Sequence, residues 1–121
     1  MEYLALVYDD PTGWETMTAA EQASAMEGYM AVAQEARAAG AMVDGSALAP
    51  TTAATSVRVR NGELLVTDGP YAEAKESLGG YYLLSCDTMD EAIAWAAKIP
   101  SAAHGGAVEV RPVHVDEEAA A

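Results

Sequence analysis

A single α+β domain, built from two β-α-β units with a hairpin between them, is what these 121 residues predict. Three observations carry it. Two capping boxes, Thr18 to Glu21 and Thr88 to Glu91, each open a stretch of helical pattern. Short apolar runs of strand length flank both stretches. Asn61-Gly62 sits between two alternating runs, which is a type I′ hairpin signal.

The elements follow in order. Tyr3 to Tyr8 (YLALVY) reads as a strand with apolar residues on both alternating faces, so it must be covered on both sides. Asp9-Asp10-Pro11-Thr12-Gly13 breaks it. A helix then runs from Thr18 to about Ala39, with Gly40 as its C-cap and Met26, Tyr29, Met30 and Ala33 as its apolar stripe. A second strand lies near Met42 to Leu48, followed by a polar loop. Ser56 to Arg60 and Glu63 to Thr67 form the hairpin, which leads into Asp68-Gly69-Pro70. Tyr81 to Cys86 is a further strand, apolar on both faces. The second helix starts at Thr88 and is expected to stop at Pro100. Ala107 to Val115 closes the order.

This order predicts a ferredoxin-like antiparallel sheet with both helices on one face. The other face is also apolar, and no third helix is available to bury it. A second copy of the same sheet is the simplest cover, so the expected assembly is a homodimeric α+β barrel. Residues 1–115 form the one domain and 116–121 (DEEAAA) an acidic, solvated tail.

Composition narrows the function. The net charge of −13 disfavours nucleic acid and anionic membranes as partners. No apolar run reaches the roughly 18 residues that span a bilayer, and MEYLALVYDD lacks the basic start of a signal peptide. The single cysteine, Cys86, reads as a small strand hydrophobe and fits a reducing cytoplasm.

Five segments in the same order resemble the YCII-related proteins, and among them the DGPF subgroup. They are Ala38-Ala39-Gly40, DGPYAEAKE at Asp68 to Glu76, LGGYYLL at Leu78 to Leu84, DEAIAWA at Asp90 to Ala96, and VEVRPV at Val108 to Val113. Tyr71 stands where the subgroup usually has Phe. The resemblance implies a ferredoxin-like dimeric barrel in a bacterial cytoplasmic family of unsettled function, often associated with extracytoplasmic-function sigma factors. Some relatives are proposed as enzymes because of a His–Asp pair. Asp68 matches the aspartate; the histidine falls near Tyr29 and has no counterpart here.

The candidate site residues are therefore Tyr29, Asp68, Tyr71, Glu73 and Arg111. Asp68 has two readings: a turn latch accepting backbone N–H groups, or a general base at the barrel mouth. Glu73 and Glu76, three apart, would share a helical face beside Lys75, as an ion-pair network or an acid–base pair. Arg111 alternates away from Val108 and Val110, hence toward the barrel interior, where it needs a mate such as Asp68 or Glu73. His104 and His114 have no neighbouring ligands in sequence. No metal is expected at the carboxylates and no cofactor; Gly79-Gly80 reads as an unusual backbone turn into the following strand and not as a phosphate loop. Three functions stay open: a small-molecule-binding or regulatory dimer, an isomerase or lyase with Asp68 as base, or an interaction module for a sigma factor or other protein.

Overall fold

In the computed structural model, which describes residues 1–72 and 75–114, side-chain alternation sets the layout. Along β1 (Glu2–Asp9), Tyr3, Ala5 and Val7 are buried, while Leu4, Leu6 and Tyr8 are half-buried on the other side. β5 (Ser77–Ser85) repeats this, with Tyr82 and Leu84 buried and Tyr81 and Leu83 half-buried. The two strands pair antiparallel, Leu4 opposite Leu83 and Leu6 opposite Tyr81. β2 (Met42–Ala47) adds beside β5, and β6 (Ala107–Pro112) beside β1. The result is a four-stranded antiparallel sheet in the order β2-β5-β1-β6. Each β-α-β unit thus supplies one central and one edge strand, and the units interleave.

α2 (Ala19–Ala38) begins in a complete capping box: Glu21 N–H donates to Thr18 Oγ1 at 3.1 Å, and Thr18 N–H to Glu21 Oε1 at 3.0 Å. Its buried face is Val32 and Ala36, with Tyr29 and Ala33 beside them. Met26 and Met30 are exposed, so the stripe expected from sequence is turned away from them. Close packing explains the turn. A Cβ on Gly28 would lie 3.0 Å from the Pro100 ring, so this bare position is what faces the neighbouring short helix. α3 (Met89–Ala96) buries Ala92 and Ala96. Val32, Ala92 and Ile99 join Tyr3, Ala5, Val7, Tyr82 and Leu84 in one core on a single face of the sheet.

Three sequence expectations are corrected. Pro100 starts a helix, α4 (Pro100–Ala103), rather than stopping one, because a missing N–H is no loss in a first turn. The break after the first strand is itself a short helix, α1 (Pro11–Glu15), whose N-cap Asp10 accepts from Thr12 N–H at 3.0 Å. Gly79-Gly80 makes no turn; both glycines lie inside β5, where a Cβ on Gly80 would lie 2.9 Å from the Ser46 carbonyl oxygen of β2. Close strand approach, not a positive φ, is what that glycine permits.

β3 (Thr55–Arg60) and β4 (Glu63–Asp68) form the expected hairpin across Asn61 and Gly62, whose φ values of 51° and 77° fit a type I′ turn. The hairpin is a separate two-stranded sheet. It stands as an arm between β2 and β5. Among the described residues, no helix is long and apolar enough to cross a membrane.

Candidate functional site

Two places concentrate chemistry, one on each face of the sheet. On the helix side, at the end of β1, Asp9 meets Tyr29 of α2 and Ser101 of α4. Ser101 Oγ donates to Asp9 Oδ2 at 2.7 Å and the Tyr29 hydroxyl donates to the same oxygen at 3.2 Å. The two hydroxyls also touch each other. The Tyr82 hydroxyl donates to the Tyr29 carbonyl at 3.0 Å, tying β5 to the same turn of α2. Local sequence arranges this. Gly28 lets α4 come against α2, and Gly106 leaves room for the Asp9 carboxylate, which a Cβ there would strike.

Burial sets the electrostatics of the cluster. It raises the Tyr29 hydroxyl above its ordinary value, against the pull of the Ser101 hydrogen bond. Burial also pushes Tyr82 up to about 12, with Tyr29 adding to it. Both tyrosines are therefore neutral donors at physiological pH. Ser101 is 2% exposed, so its hydroxyl is sealed from an incoming substrate. Cys86, at the opposite end of the sheet, lines an open groove of about 350 Å³ with Asp87 and Trp95. Burial raises its thiol, which keeps it protonated and unreactive. Neither serine nor cysteine presents an activated nucleophile.

The second place is the open face of the sheet. In register, Leu4, Leu6 and Tyr8 of β1 lie beside Leu83, Tyr81 and Leu78 of β5, with Arg111, Glu109 and Ala107 of β6 along one margin. The hydroxyls of Tyr3, Tyr29 and Tyr82 are hydrogen-bonded within the chain. Those of Tyr8 and Tyr81 have no partner among the described residues. An apolar floor with two phenols and a guanidinium at its edge can hold a small organic molecule by burial and orient it by hydrogen bonds.

The residues singled out from sequence are spread over three places. Tyr29 is in the helix-side cluster, half-buried. Arg111 is on the open face, as its alternation with Val108 and Val110 predicts, but its guanidinium pairs with Glu109 of the same strand and not with Asp68. Asp68 ends β4 and is exposed; among the described residues its carboxylate accepts no hydrogen bond. The turn after it is held instead by Gly69 N–H donating to the Ala54 carbonyl at 2.7 Å and by Ser56 Oγ donating to the Gly69 carbonyl at 2.8 Å. Tyr71 is exposed, with the Arg58 guanidinium 4.7 Å over its ring. Glu73 lies outside the described residues. Lys75 is near enough to Asp10 to help lower its carboxyl, after the larger effects of the Thr12 hydroxyl and N–H. His104 and His114 are exposed, and no group of metal-ligating side chains forms among the described residues.

Asp9, Ser101, Tyr8 and Tyr81 were not singled out by sequence. Asp9 reads as part of a chain break, and Ser101 lies past an expected helix stop. The tyrosines read as generic apolar strand positions. One signal was available: Tyr8 and Tyr81 carry hydroxyls on the face that the helices cannot cover.

Asp68→Asn is expected to change the unfolding free energy by less than ~0.5 kcal/mol in a urea melt, as for an exposed side chain with no hydrogen-bond partner among the described residues. Ser56→Ala should lower it by about 1 kcal/mol through loss of the turn bond. A loss near 1 kcal/mol for Asp68→Asn would reinstate the aspartate as the latch.

Comparison with known sequences agrees with the motifs. The YCII-related domain matches residues 1–115. An uncharacterized protein of Rhizobium meliloti (strain 1021) is 38% identical over 114 residues, which span 93% of this chain and 92% of that protein.

Proposed function

The chain belongs to the YCII-related family, and we propose that it is a DGPF-subgroup, ferredoxin-like homodimer that binds a small apolar or aromatic acid between its sheets without transforming it. The observation that supports this is the open face. Leu4, Leu6 and Leu83 are half-buried in the single chain, beside the hydroxyls of Tyr8 and Tyr81, which have no partner among the described residues. Two such faces laid together would bury the leucines and enclose four phenols in a barrel interior. Arg111 at the margin offers a fork to a carboxylate once it leaves Glu109.

Binding is favoured over catalysis because the hydroxyl cluster that most resembles a catalytic constellation is turned inward. Its serine is sealed and its tyrosine is a neutral donor already engaged with Asp9. Asp68, the base an isomerase or lyase would need, stands exposed on the arm, where water screens it. A ligand held between two copies would couple its own concentration to their pairing, which is the property a regulator or a sigma-factor partner can read.

The test uses anilinonaphthalene sulfonate, an aromatic anion, with the folded protein. One saturable site is expected, weakened roughly tenfold by Arg111→Ala and by Tyr81→Ala, in keeping with loss of an anchoring contact. Sedimentation at micromolar concentration should give a two-chain mass. A one-chain mass, or saturable binding that neither substitution alters, would defeat the reading.

A further inference from the structure

The tip of the β3–β4 arm joins an asparagine to a glycine, and Asn61 is the single asparagine of the chain. Both residues are exposed, and register places Arg60 opposite Glu63, so Asn61 and Gly62 are the whole loop. The ladder bonds at this end belong to Arg60 and Glu63. The Gly62 N–H donates to no acceptor among the described residues. A Cβ built on Gly62 would meet no atom within 4 Å, so the backbone there is open to approach.

This is the local chemistry of imide formation. An asparagine side-chain carbonyl and the next backbone nitrogen are spaced to close a succinimide ring, and a glycine puts no Cβ in the way. The Gly62 nitrogen gives its proton to solvent base and bonds to Asn61 Cγ. The bond from Cγ to Nδ2 breaks, and Nδ2 takes up a proton and leaves as ammonia. Water then opens the ring. Cleavage between the ring nitrogen and Cγ leaves an aspartate. Cleavage between the ring nitrogen and the main-chain carbonyl leaves an isoaspartate, with the chain running through Cγ. Either product has one more negative charge than the asparagine.

Ring closure turns Asn61 out of its turn conformation, so the rate follows how often the tip opens. Little holds it shut. Each arm strand pairs only with the other, and Val57, Val59, Leu64 and Val66 are exposed. A two-stranded hairpin of this kind is marginal in water. The two products then differ in effect. Aspartate before glycine keeps a type I′ turn, whereas isoaspartate adds a backbone carbon to a loop built for two residues. From this we infer that Asn61 is a site of spontaneous modification, losing ammonia to become aspartate and isoaspartate, and that the isoaspartate form loosens the arm.

The test ages the folded protein in mildly alkaline buffer beside the same chain in urea and beside folded Asn61→Gly. Glycine at this position keeps the type I′ turn and removes the amide. Ion exchange counts the added charge, and methyl transfer by an isoaspartyl methyltransferase, with fragmentation of the Asn61 to Lys75 tryptic peptide, locates the isoaspartate. Asp44-Gly45 and Asp68-Gly69 close the same ring by losing water, so they leave the charge unchanged. The folded wild type is expected to gain one negative charge at a rate within roughly tenfold of the unfolded chain, as for a hairpin of marginal stability. Asn61→Gly should gain none. A folded wild type that stays unmodified while the chain in urea converts, or the same charge gain in Asn61→Gly, overturns the site. For the loosening, limited trypsin should cut after Arg58 roughly threefold or more faster in the isoaspartate fraction than in fresh protein. Equal cutting would overturn that half and leave the modification standing.

Discussion

Replacing Asp9 by alanine is expected to lower the unfolding free energy by about 2–4 kcal/mol, the sum of two hydrogen bonds to a charged acceptor and the exposure of a buried hydroxyl to an apolar space. Asp9 Oδ2 receives both Ser101 Oγ and the Tyr29 hydroxyl, and through them β1 is fastened to α2 and α4. The comparison with the partners makes the prediction specific. Ser101→Ala and Tyr29→Phe each remove one donor and leave the carboxylate its other one, so each should cost about 1–2 kcal/mol. The double variant Asp9→Ala/Ser101→Ala should lose less than the two single losses added together, because the residues share one bond. Guanidinium melts of the four proteins measure this. A stabilised Asp9→Ala would show that the carboxylate is held against its preference for water, which is the signature of a binding group and not of a latch.

The layout of the sheet was legible because it rests on periodicity. Tyr3 to Tyr8 is apolar at every position and Tyr81 to Cys86 at every position but Ser85, and such strands favour the centre of a sheet. β1 and β5 do occupy the centre. The helix starts were legible because a capping box is local chemistry within four residues. Packing direction was not. α2 has so many small residues that several faces look equally apolar, and the face was chosen by where Gly28 meets Pro100, residues far apart in sequence. The same reason hid the cluster. Asp9, Tyr29 and Ser101 are 20 and 72 positions apart along the chain, and only the fold brings them together. Asp68 drew notice through its motif, and its carboxylate is exposed among the described residues.

Alkaline unfolding should expose the buried phenols as a second large effect. Tyr82 is pushed up to about 12 from 10.0, chiefly by burial, and Tyr29 moves in the same direction for the same reason. A raised folded value means that folding favours the neutral phenol. Its contribution is fully present below pH ~10, where the unfolded chain also keeps the proton, and is lost as pH rises toward about 12. For Tyr82 alone, a separation of about two units corresponds to roughly 2–3 kcal/mol. Denaturant melts between pH 9 and 12 should therefore show stability falling with increasing steepness above the ordinary tyrosine range. Tyr82→Phe separates this from the general effect of neutralising lysines. It should start about 1 kcal/mol lower at neutral pH, having lost the bond to the Tyr29 carbonyl, yet decline more shallowly, so the two curves converge or cross near the alkaline end. Parallel curves would mean that the Tyr82 hydroxyl reaches solvent in the native state, and that α2 does not seal it.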